Sequence, residues 1–409
     1  MRAASLHAAG KGAAAKLAEQ IRRLDRPVNA LLWMADSRAH EMASSLENLA
    51  PCVVGGSSLQ GLIGGGSEYY GAHQGERCVA LAITLPDDAS VLAFHSDPHS
   101  LPDFPESTWT DWATASPSAS PHLMLLAAPP TDASFPLERW LSRLDTSLPW
   151  ARKVGGLLAG GQSQLWVGGT EHNGGAVGIA LSGSVQLDAL VCQGATAIGP
   201  SFAVTAAESG SLVRSLDGVD VASALRPTLE QFAADGSKGV LMAGISVDPS
   251  PAALPPSREP LVPLPTGAHE ASYVMRQITG YFPENSALAI GASAELLEAP
   301  NVRLQLHSFS AANARAELHA RASALRRHHE ESSSAASDGA TPFIGGLVAS
   351  CLGRGESLFG GEANVESRAL LQELGGQLEL AGWFAGGEIG PVGRRTFVHT
   401  YTSTAALLR

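Results

Sequence analysis

"AGWFAGGEIGPVGRRTFVH", residues 381–399, places bulky and charged side chains among five glycines. A similar run, "VGGSSLQGLIGGGSEYYG", occupies residues 54–71. In both runs a glycine is followed five residues later by a second glycine, and after one intervening residue by Ile-Gly. We call this pattern the glycine device, and its two copies suggest two related halves. The matching positions are Gly56, Gly61, Ile63 and Gly64 in one copy and Gly382, Gly387, Ile389 and Gly390 in the other.

Length and composition indicate a globular protein of two domains. At 409 residues the chain exceeds the size at which a single core usually stops growing. Hydrophobic residues make up 44% and charged residues 16%, which is enough apolar side chain for packed cores. The expected domains are residues 1–225 and 226–409. The Pro-rich stretch 249–265 is either a linker or a loop inside the second domain.

The charge and hydropathy patterns exclude several classes of partner. A formal net charge of -12 disfavours nucleic acids and anionic membrane surfaces, because both require a basic footprint. The chain has no apolar run near the ~20 residues of a spanning helix and no signal peptide. We therefore expect an intracellular, cytoplasmic protein. The Ala-rich start leaves organellar import open, although we interpret it as a domain helix with Leu17, Ile21 and Leu24 on one face.

Apolar runs separated by turn signals predict the elements of both halves. The class they predict is α+β, with two related halves that each hold a mixed, largely antiparallel sheet flanked by helices. The predicted elements are a strand over 28–35, a helix opened by Ser37, a strand over 51–58, a hairpin of 76–85 with 90–96, a surface loop over 97–122, a strand over 123–130, a helix over 137–149, a hairpin turn at Asp217-Gly218, a helix from 221 to about Pro227, strands over 343–355 and 379–387 around a helix over 365–374, and one terminal strand over 395–408.

Glycines at strand ends let backbone N–H groups approach a ligand. In the C-terminal copy of the device, Glu388, Arg394 and Arg395 lie nearby. Arg can bind a carboxylate through two hydrogen bonds and Glu can accept an ammonium group, so the set suits an amino acid. Alternatively, the glycines only permit tight turns and close packing, and the charged groups are solvated or paired with one another.

Three further groups of residues are weaker candidates for a functional site. Cys351 is either a reactive thiol, if Arg354 lowers its pKa, or a packed core thiol. Glu171, His172 and Asn173 form either a metal or acid–base group or a polar hairpin turn. His328-His329 is interpreted as a solvated pair.

The chain lacks the familiar catalytic motifs. It has no Gly-x-Ser-x-Gly elbow, Walker loop or His-Glu-x-x-His sequence, and its four cysteines are scattered. We therefore expect a non-enzymatic protein with reduced thiols, no catalytic residues, no metal and no cofactor.

Five glycine-rich motifs in order make the chain resemble the FIST domain family along nearly its whole length. They are "GGSSLQGLIGGGSEYYG", "KVGGLLAGG", "GAVGIALSGSVQLDALVCQGATAIGPSFAVTAAESGSLVRSLDG", "SCLGRGESLFGG" and "LAGWFAGGEIGPVGRRTFVH". The resemblance implies an N-terminal FIST half, a C-terminal FIST half and a sensory module that binds an amino acid or a similar small molecule. It also implies two alternatives: a protein-interaction scaffold, such as a ubiquitin-ligase substrate adaptor lacking its F-box, and a haem-based gas sensor.

The doubled glycine device, with charged residues beside it, predicts a binding site on the glycine loops 55–66, 351–355 and 386–395. Four positions depart from the family motifs, because Gly56 and Ala385 each replace a Cys, and Leu352 and Gly386 each replace an Asn. The ligand-binding residues predicted from the device and the resemblance together are Ser57, Ser58, Gly64, Gly65, Arg354, Gly387, Glu388 and Arg394. The predicted partner is the small-molecule ligand, with a protein partner as the alternative.

Overall fold

The chain forms two compact units. One is built from described residues of Met1–Cys192 and Leu318–Arg409, and the other from described residues of Gln193–Pro255 and Pro263–Glu317. The expected boundary near residue 225 stays a prediction. The computed structural model describes residues 1–36, 39–58, 60–71, 76–97, 100–113, 119–129, 137–160, 164–208, 211–234, 236, 239–246, 273–297, 299, 301–334, 342–393 and 395–409.

Runs of consecutive strands are interrupted by single helices along the chain. The helices are α1 (Ala13–Arg22), α2 (Ala39–Leu46), α3 (Glu106–Ala113), α4 (Leu137–Ser147), α5 (Val221–Ala234), α6 (Ala294–Leu297), α7 (Ala311–Ser334) and α8 (Val365–Leu374). The strands are β1 (Arg2–Ala9), β2 (Ala30–Ala35), β3 (Cys52–Ser57), β4 (Gly61–Gly64), β5 (Ser67–Tyr70), β6 (Arg77–Thr84), β7 (Ser90–Ser96), β8 (His122–Ala127), β9 (Lys153–Leu157), β10 (Leu165–Val167), β11 (Thr170–His172), β12 (Ala176–Ser182), β13 (Leu187–Cys192), β14 (Ala195–Glu208), β15 (Leu212–Leu216), β16 (Val219–Asp220), β17 (Val240–Ser246), β18 (Tyr273–Phe282), β19 (Ala287–Ile290), β20 (Arg303–Phe309), β21 (Gly345–Cys351), β22 (Glu379–Ala385), β23 (Glu388–Val392), β24 (Arg395–His399) and β25 (Ser403–Leu408).

The first unit contains three mixed sheets with the same plan. Sheet 1 has the order β1-β6-β2-β3-β10-β11, sheet 2 the order β7-β12-β8-β9-β23-β24, and sheet 3 the order β13-β25-β21-β22-β4-β5. At the centre of each lies a parallel strand pair joined through a helix: β2–α2–β3, β8–α4–β9 and β21–α8–β22. The helix supplies the long crossover that a parallel pair needs. We call these units repeat 1, repeat 2 and repeat 3.

Each repeat gives a hairpin to another repeat's sheet. After repeat 1 the chain forms β4–β5, which pairs with β22 in sheet 3. After repeat 2 it forms β10–β11, which pairs with β3 in sheet 1. After repeat 3 it forms β23–β24, which pairs with β9 in sheet 2. The three sheets therefore exchange strands in a cycle.

Each sheet has one face toward a shared core and the other toward helices. The shared core combines side chains from the three repeats, such as Leu32, Leu126 and Leu347. Helices α1 and α2 pack on the outer face of sheet 1, α3 and α4 on that of sheet 2, and α7 and α8 on that of sheet 3. Burial on both faces explains why the central strands have nearly continuous apolar sequences.

The glycine device marks the places where a hairpin crosses into the next sheet. In each crossing, an apolar residue of the hairpin lies directly opposite a glycine of the receiving strand. Two crossings use the isoleucines of the device, and the third, between repeats 2 and 1, uses tryptophan. The opposed pairs are Ile63 with Gly382, Ile389 with Gly155, and Trp166 with Gly55.

Close approach of the parallel strands explains the need for glycine at these positions. A Cβ added at Gly382 would lie 1.9 Å from the carbonyl oxygen of Val348, and one added at Gly155 would lie 1.8 Å from that of Leu125. Only a residue without a side chain fits such a contact.

The second unit is an antiparallel sheet of seven described strands. Its order is β14-β20-β17-β18-β19-β15-β16, and the long strand β14 also pairs with β15. Six of these strands therefore form a closed ring. The predicted turn at Asp217-Gly218 connects β15 to β16, and both turn residues have positive φ.

Two predicted connections are wrong because long-range pairing overrides the local pattern. The expected hairpin of 76–85 with 90–96 does not form, since β6 pairs with β1 and β2 whereas β7 pairs with β12. The expected single terminal strand is two strands, β24 in sheet 2 and β25 in sheet 3. The chain turns between them at Tyr401, which has a φ of 57°.

Three other expectations also need correction. The stretch 97–122 is not only a surface loop, because it contains α3 and buries Phe104 and Trp112 against sheet 2. The N-terminal helix begins only at Ala13, after β1. Helix α5 continues through Pro227, since its buried face packs on β14 and β15.

Candidate functional site

Glu388 is a completely buried carboxyl group at the crossing from repeat 3 into sheet 2. It is the first residue of β23, directly after the exposed Gly386 and the buried Gly387. The backbone N–H of Thr402 donates to its Oε2 atom at 3.1 Å. Its other oxygen, Oε1, has no hydrogen-bond partner within the described part of the chain.

The half-buried thiol of Cys351 interacts with this carboxyl group. Cys351 ends β21 and is held by two backbone contacts: its N–H donates to the Thr402 carbonyl at 2.9 Å, and its sulfur accepts the Tyr401 N–H at 3.3 Å. The next residues, Leu352 and Gly353, are exposed. Cys351 therefore lies between the surface and the buried carboxyl group.

Burial raises the pKa of both acidic groups. Desolvation raises the pKa of Glu388 well above its usual value, against the opposing effects of the Thr402 N–H and the Arg354 charge. Desolvation, together with the charge of Glu388, raises the pKa of the Cys351 thiol to about 12. Arg354 opposes this rise only weakly, so the environment supports the core-thiol interpretation of Cys351 rather than a reactive thiolate.

Arg354 belongs to a buried ion pair. Its Nε atom donates to Oε1 of Glu366 on α8, and both side chains are fully buried. Its Nη1 atom donates to the carbonyls of Cys192 and Tyr401 at 3.3 and 3.2 Å. Through these contacts Arg354 holds together α8, the end of β13 and the turn that follows β24. We call Glu388, Cys351, Arg354, Glu366 and Thr402 the Glu388 site.

A second buried carboxyl group, Glu68, caps the N-terminus of α8. Its Oε1 accepts the N–H of Ser367 at 2.7 Å, and its Oε2 accepts the hydroxyl of Tyr70. Asn364 accepts the Glu68 N–H through its Oδ1 at 2.7 Å and donates its own N–H to Tyr70. Desolvation raises the pKa of Glu68. Unlike Glu388, Glu68 accepts a hydrogen bond at each of its two carboxylate oxygens.

The residues predicted from the N-terminal copy of the device divide into two places. Ser58 is near the Glu388 site, because its hydroxyl donates to the Phe384 carbonyl at 3.4 Å. Ser57 instead joins β3 to the start of β10, where it accepts the Gln164 N–H at 2.9 Å. Gly64 ends β4, and Gly65 lies in the turn between β4 and β5. Gly64 lies opposite Ala381, four residues before the end of β22, so the structure does not bring this turn to Glu388.

Among the residues predicted from the second half of the chain, the structure groups Arg354, Gly387 and Glu388. The Gly387 carbonyl accepts the Leu157 N–H at 2.7 Å and thereby fixes the crossing into sheet 2. Arg394 lies outside the described residues. Arg395 lies over the Phe397 ring at 5.1 Å, and we find no ion pair to Glu388 among the described side chains.

Glu366 and Thr402 were not found from the sequence. Glu366 lies in an ordinary helix sequence and Thr402 contributes only its backbone, so neither carries a recognisable signal. Their roles depend on the positions of α8 and the turn before β25.

The other polar clusters lie outside the Glu388 site. His172 stacks on His95 with ring centroids 3.9 Å apart, and it lies on the β10–β11 hairpin with Glu171. The solvated interpretation of His328-His329 is wrong for His329, which is buried and bonded to Asp188 at 2.8 Å. In the described ranges no three His, Cys, Asp or Glu side chains are grouped to hold a metal ion. None of the helices described is long and apolar enough to cross a membrane.

Comparison with known families agrees with this architecture. Residues 30–219 match the FIST N domain and residues 238–391 match the FIST C domain. The chain belongs to the FIST family. The FIST N match contains repeats 1 and 2, and the FIST C match contains repeat 3 and the Glu388 residue.

Two mycobacterial proteins match this chain over most of its length and over most of their own. An uncharacterized protein of Mycobacterium tuberculosis is 28% identical over 391 residues, which cover 92% of this chain and 91% of the relative. An uncharacterized protein of Mycobacterium bovis is 29% identical over 293 residues, covering 70% of this chain and 67% of the relative.

Proposed function

We propose that this FIST protein is a non-enzymatic sensory module that binds a small molecule, an amino acid or a compound of similar size, at the Glu388 site. The observation that carries the proposal is the unpartnered Oε1 atom of Glu388, a side chain with no exposed surface. A buried polar atom without a partner costs about 1–3 kcal/mol. A ligand that completes its hydrogen bonding would recover this free energy.

The chemistry of the site favours binding over catalysis. A nucleophilic cysteine requires a thiolate, whereas burial raises the pKa of Cys351 to about 12. Arg354 is held by Glu366 and two carbonyls, so it contributes to positioning the site. The adaptor and haem alternatives stay predictions, and the Pro-rich stretch 249–265 lies outside the described residues.

A thermal-shift screen tests the proposal. The protein is heated with each of the amino acids, small amines and small carboxylates at millimolar concentration. A ligand is expected to stabilise the folded protein by RT ln(1 + [L]/Kd), which raises the melting temperature.

The matched variants are Glu388→Gln and Glu68→Gln, since both replace a buried carboxyl group. Glu388→Gln should abolish the ligand-induced shift, whereas Glu68→Gln should lower the melting temperature without ligand and retain the shift. If no compound stabilises the wild type, or if the two variants lose the shift equally, binding at Glu388 is wrong.

A further inference from the structure

The buried Glu388 site contains two carboxyl groups and one guanidinium group. Arg354 and Glu366 neutralise each other in an ion pair. Glu388 is the remaining carboxyl group of the Glu388 site, and it has no cationic partner among the described side chains. A buried carboxylate without a counter-ion is strongly disfavoured, so the free protein holds Glu388 as a neutral acid.

The groups that face Glu388 come from four neighbouring segments. They are the Cys351 thiol at the end of β21, Arg354 in the following loop, Glu366 on α8, and His399, which lies directly opposite Glu388 on β24. Arg354 is committed to Glu366, and the Nε2 atom of His399 lies 3.0 Å from the Gly390 carbonyl oxygen, toward which it donates. Neither cation-forming side chain is therefore placed to satisfy Oε1.

We propose, on the basis of the ligand binding proposed above, that the ligand is an organic ammonium ion whose N–H groups pair with Oε1 of Glu388. As the ion pair forms, Glu388 gives its proton to solvent, and the ligand's positive charge takes that proton's place. The local charge is zero before binding, with Arg354 and Glu366 paired. It is zero again afterwards, with two cations and two carboxylates.

An anionic ligand fits this arrangement poorly. A carboxylate bound beside the neutral acid Glu388 would add a negative charge without a counter-ion, because Arg354 is already paired with Glu366. A buried charge without a counter-ion is strongly disfavoured.

The surface beside the site suits an apolar substituent on the ammonium. Leu352 follows Cys351 directly and leaves 41% of its surface exposed, which is uncommon for a large hydrophobic residue of this protein. Its N–H donates to the Ala385 carbonyl at 3.0 Å, so it is fixed beside Gly386 at the crossing. An alkyl chain extending outward from Glu388 would meet Leu352.

Isothermal titration calorimetry with three probes of equal length tests the inference. The probes are butylammonium, butanol and butyrate, titrated from about pH 6 to about pH 8 in buffers of different ionisation enthalpy. Butylammonium should bind most tightly, and its affinity should rise by up to about tenfold per pH unit as one proton is released. The infrared band of a protonated carboxyl group should disappear on binding and should be missing from Glu388→Gln.

Three variants distinguish the ion pair between the ligand and Glu388 from effects that any substitution near the site would have. Glu388→Gln should lose butylammonium binding, and Glu68→Gln should keep both the binding and the proton release. Leu352→Ser should weaken butylammonium several-fold and leave methylammonium nearly unchanged.

Two results overturn the inference: tighter binding of butyrate than butylammonium, or ammonium binding that releases no proton. If amino acids stabilise the protein through Glu388 but butylammonium does not bind, this inference fails and the proposed function stands. If none of the screened compounds binds, the proposed function fails as well.

Discussion

Glu388 should make the stability of the protein depend on pH. Its pKa is raised in the folded state, so the folded protein keeps a proton that the unfolded chain loses above about pH 4.5. This contribution to stability is complete at low pH and is lost as the pH rises toward the pKa of the folded state. The slope for one proton is at most about 1.4 kcal/mol per pH unit.

Urea unfolding of the wild type and Glu388→Gln between about pH 5 and pH 8 measures this effect. The variant has no proton to lose, so its free energy of unfolding should fall less steeply than that of the wild type. Glu356→Gln, at an exposed position of the loop after β21, is the control. Parallel profiles for wild type and Glu388→Gln would show that Glu388 is ionised in the folded protein.

Replacing one partner of the buried Arg354–Glu366 ion pair should lower the free energy of unfolding strongly. Replacing Glu366 by Gln leaves a buried guanidinium without its counter-ion, and the expected loss is about 3–5 kcal/mol in the free energy of unfolding. The double variant Arg354→Met/Glu366→Leu should lose less than the sum of the single variants, because it leaves no uncompensated charge.

Denaturant midpoints for the two single variants and the double variant measure the coupling. The exposed pair of Arg23 and Glu19 is the comparison, and Glu19→Gln should change stability by less than about 1 kcal/mol. Equal effects at the buried and exposed pairs would contradict the assigned role of Arg354.

At the scale of the elements, the glycine device sets how closely neighbouring strands approach. Gly382→Ala would place a Cβ 1.9 Å from the Val348 carbonyl oxygen, a contact that requires β21 and β22 to separate. Overpacking of this kind costs about 1–3 kcal/mol or more. We expect a loss in this range or a failure to fold.

Gly376→Ala is the matched control, because a Cβ there would meet nothing within 4 Å. Thermal unfolding of both variants measures the difference. A Gly382→Ala protein as stable as Gly376→Ala would show that the device has no packing role.

At the scale of the whole first unit, the exchanged hairpins should make the three sheets unfold together. Leu126 in sheet 2 and Leu347 in sheet 3 both lie in the shared core. Replacing either by Ala should cost about 2–5 kcal/mol. Because each sheet contains a hairpin from another repeat, the loss should also reach sheet 1.

Native-state hydrogen exchange of the β2 amides tests this coupling. Their opening free energy should decrease in Leu126→Ala and in Leu347→Ala, although neither residue is in sheet 1. Unchanged protection of β2 would indicate that the sheets open independently.

Local sequence was sufficient for the class of fold and for the central residue of the candidate site. The buried strands β2 and β21 were predictable because continuous apolar runs between turn signals have few other structures available to them. Glu388 stood out as the one acidic residue in a glycine-rich stretch. The α+β class and the FIST resemblance, both expected from these patterns, are confirmed.

Tertiary structure alone decided which strands pair and what surrounds Glu388. The 76–96 segment has the pattern of a hairpin, yet β6 and β7 enter different sheets, where β6 pairs with β1 and β2 and β7 pairs with β12. The threefold repetition is likewise hidden, since Trp166 replaces isoleucine in one crossing and only the register reveals the equivalence. The Glu388 site combines β21, β23, α8 and the turn before β25, and residues so far apart in the chain influence one another only after the hairpins have crossed between sheets.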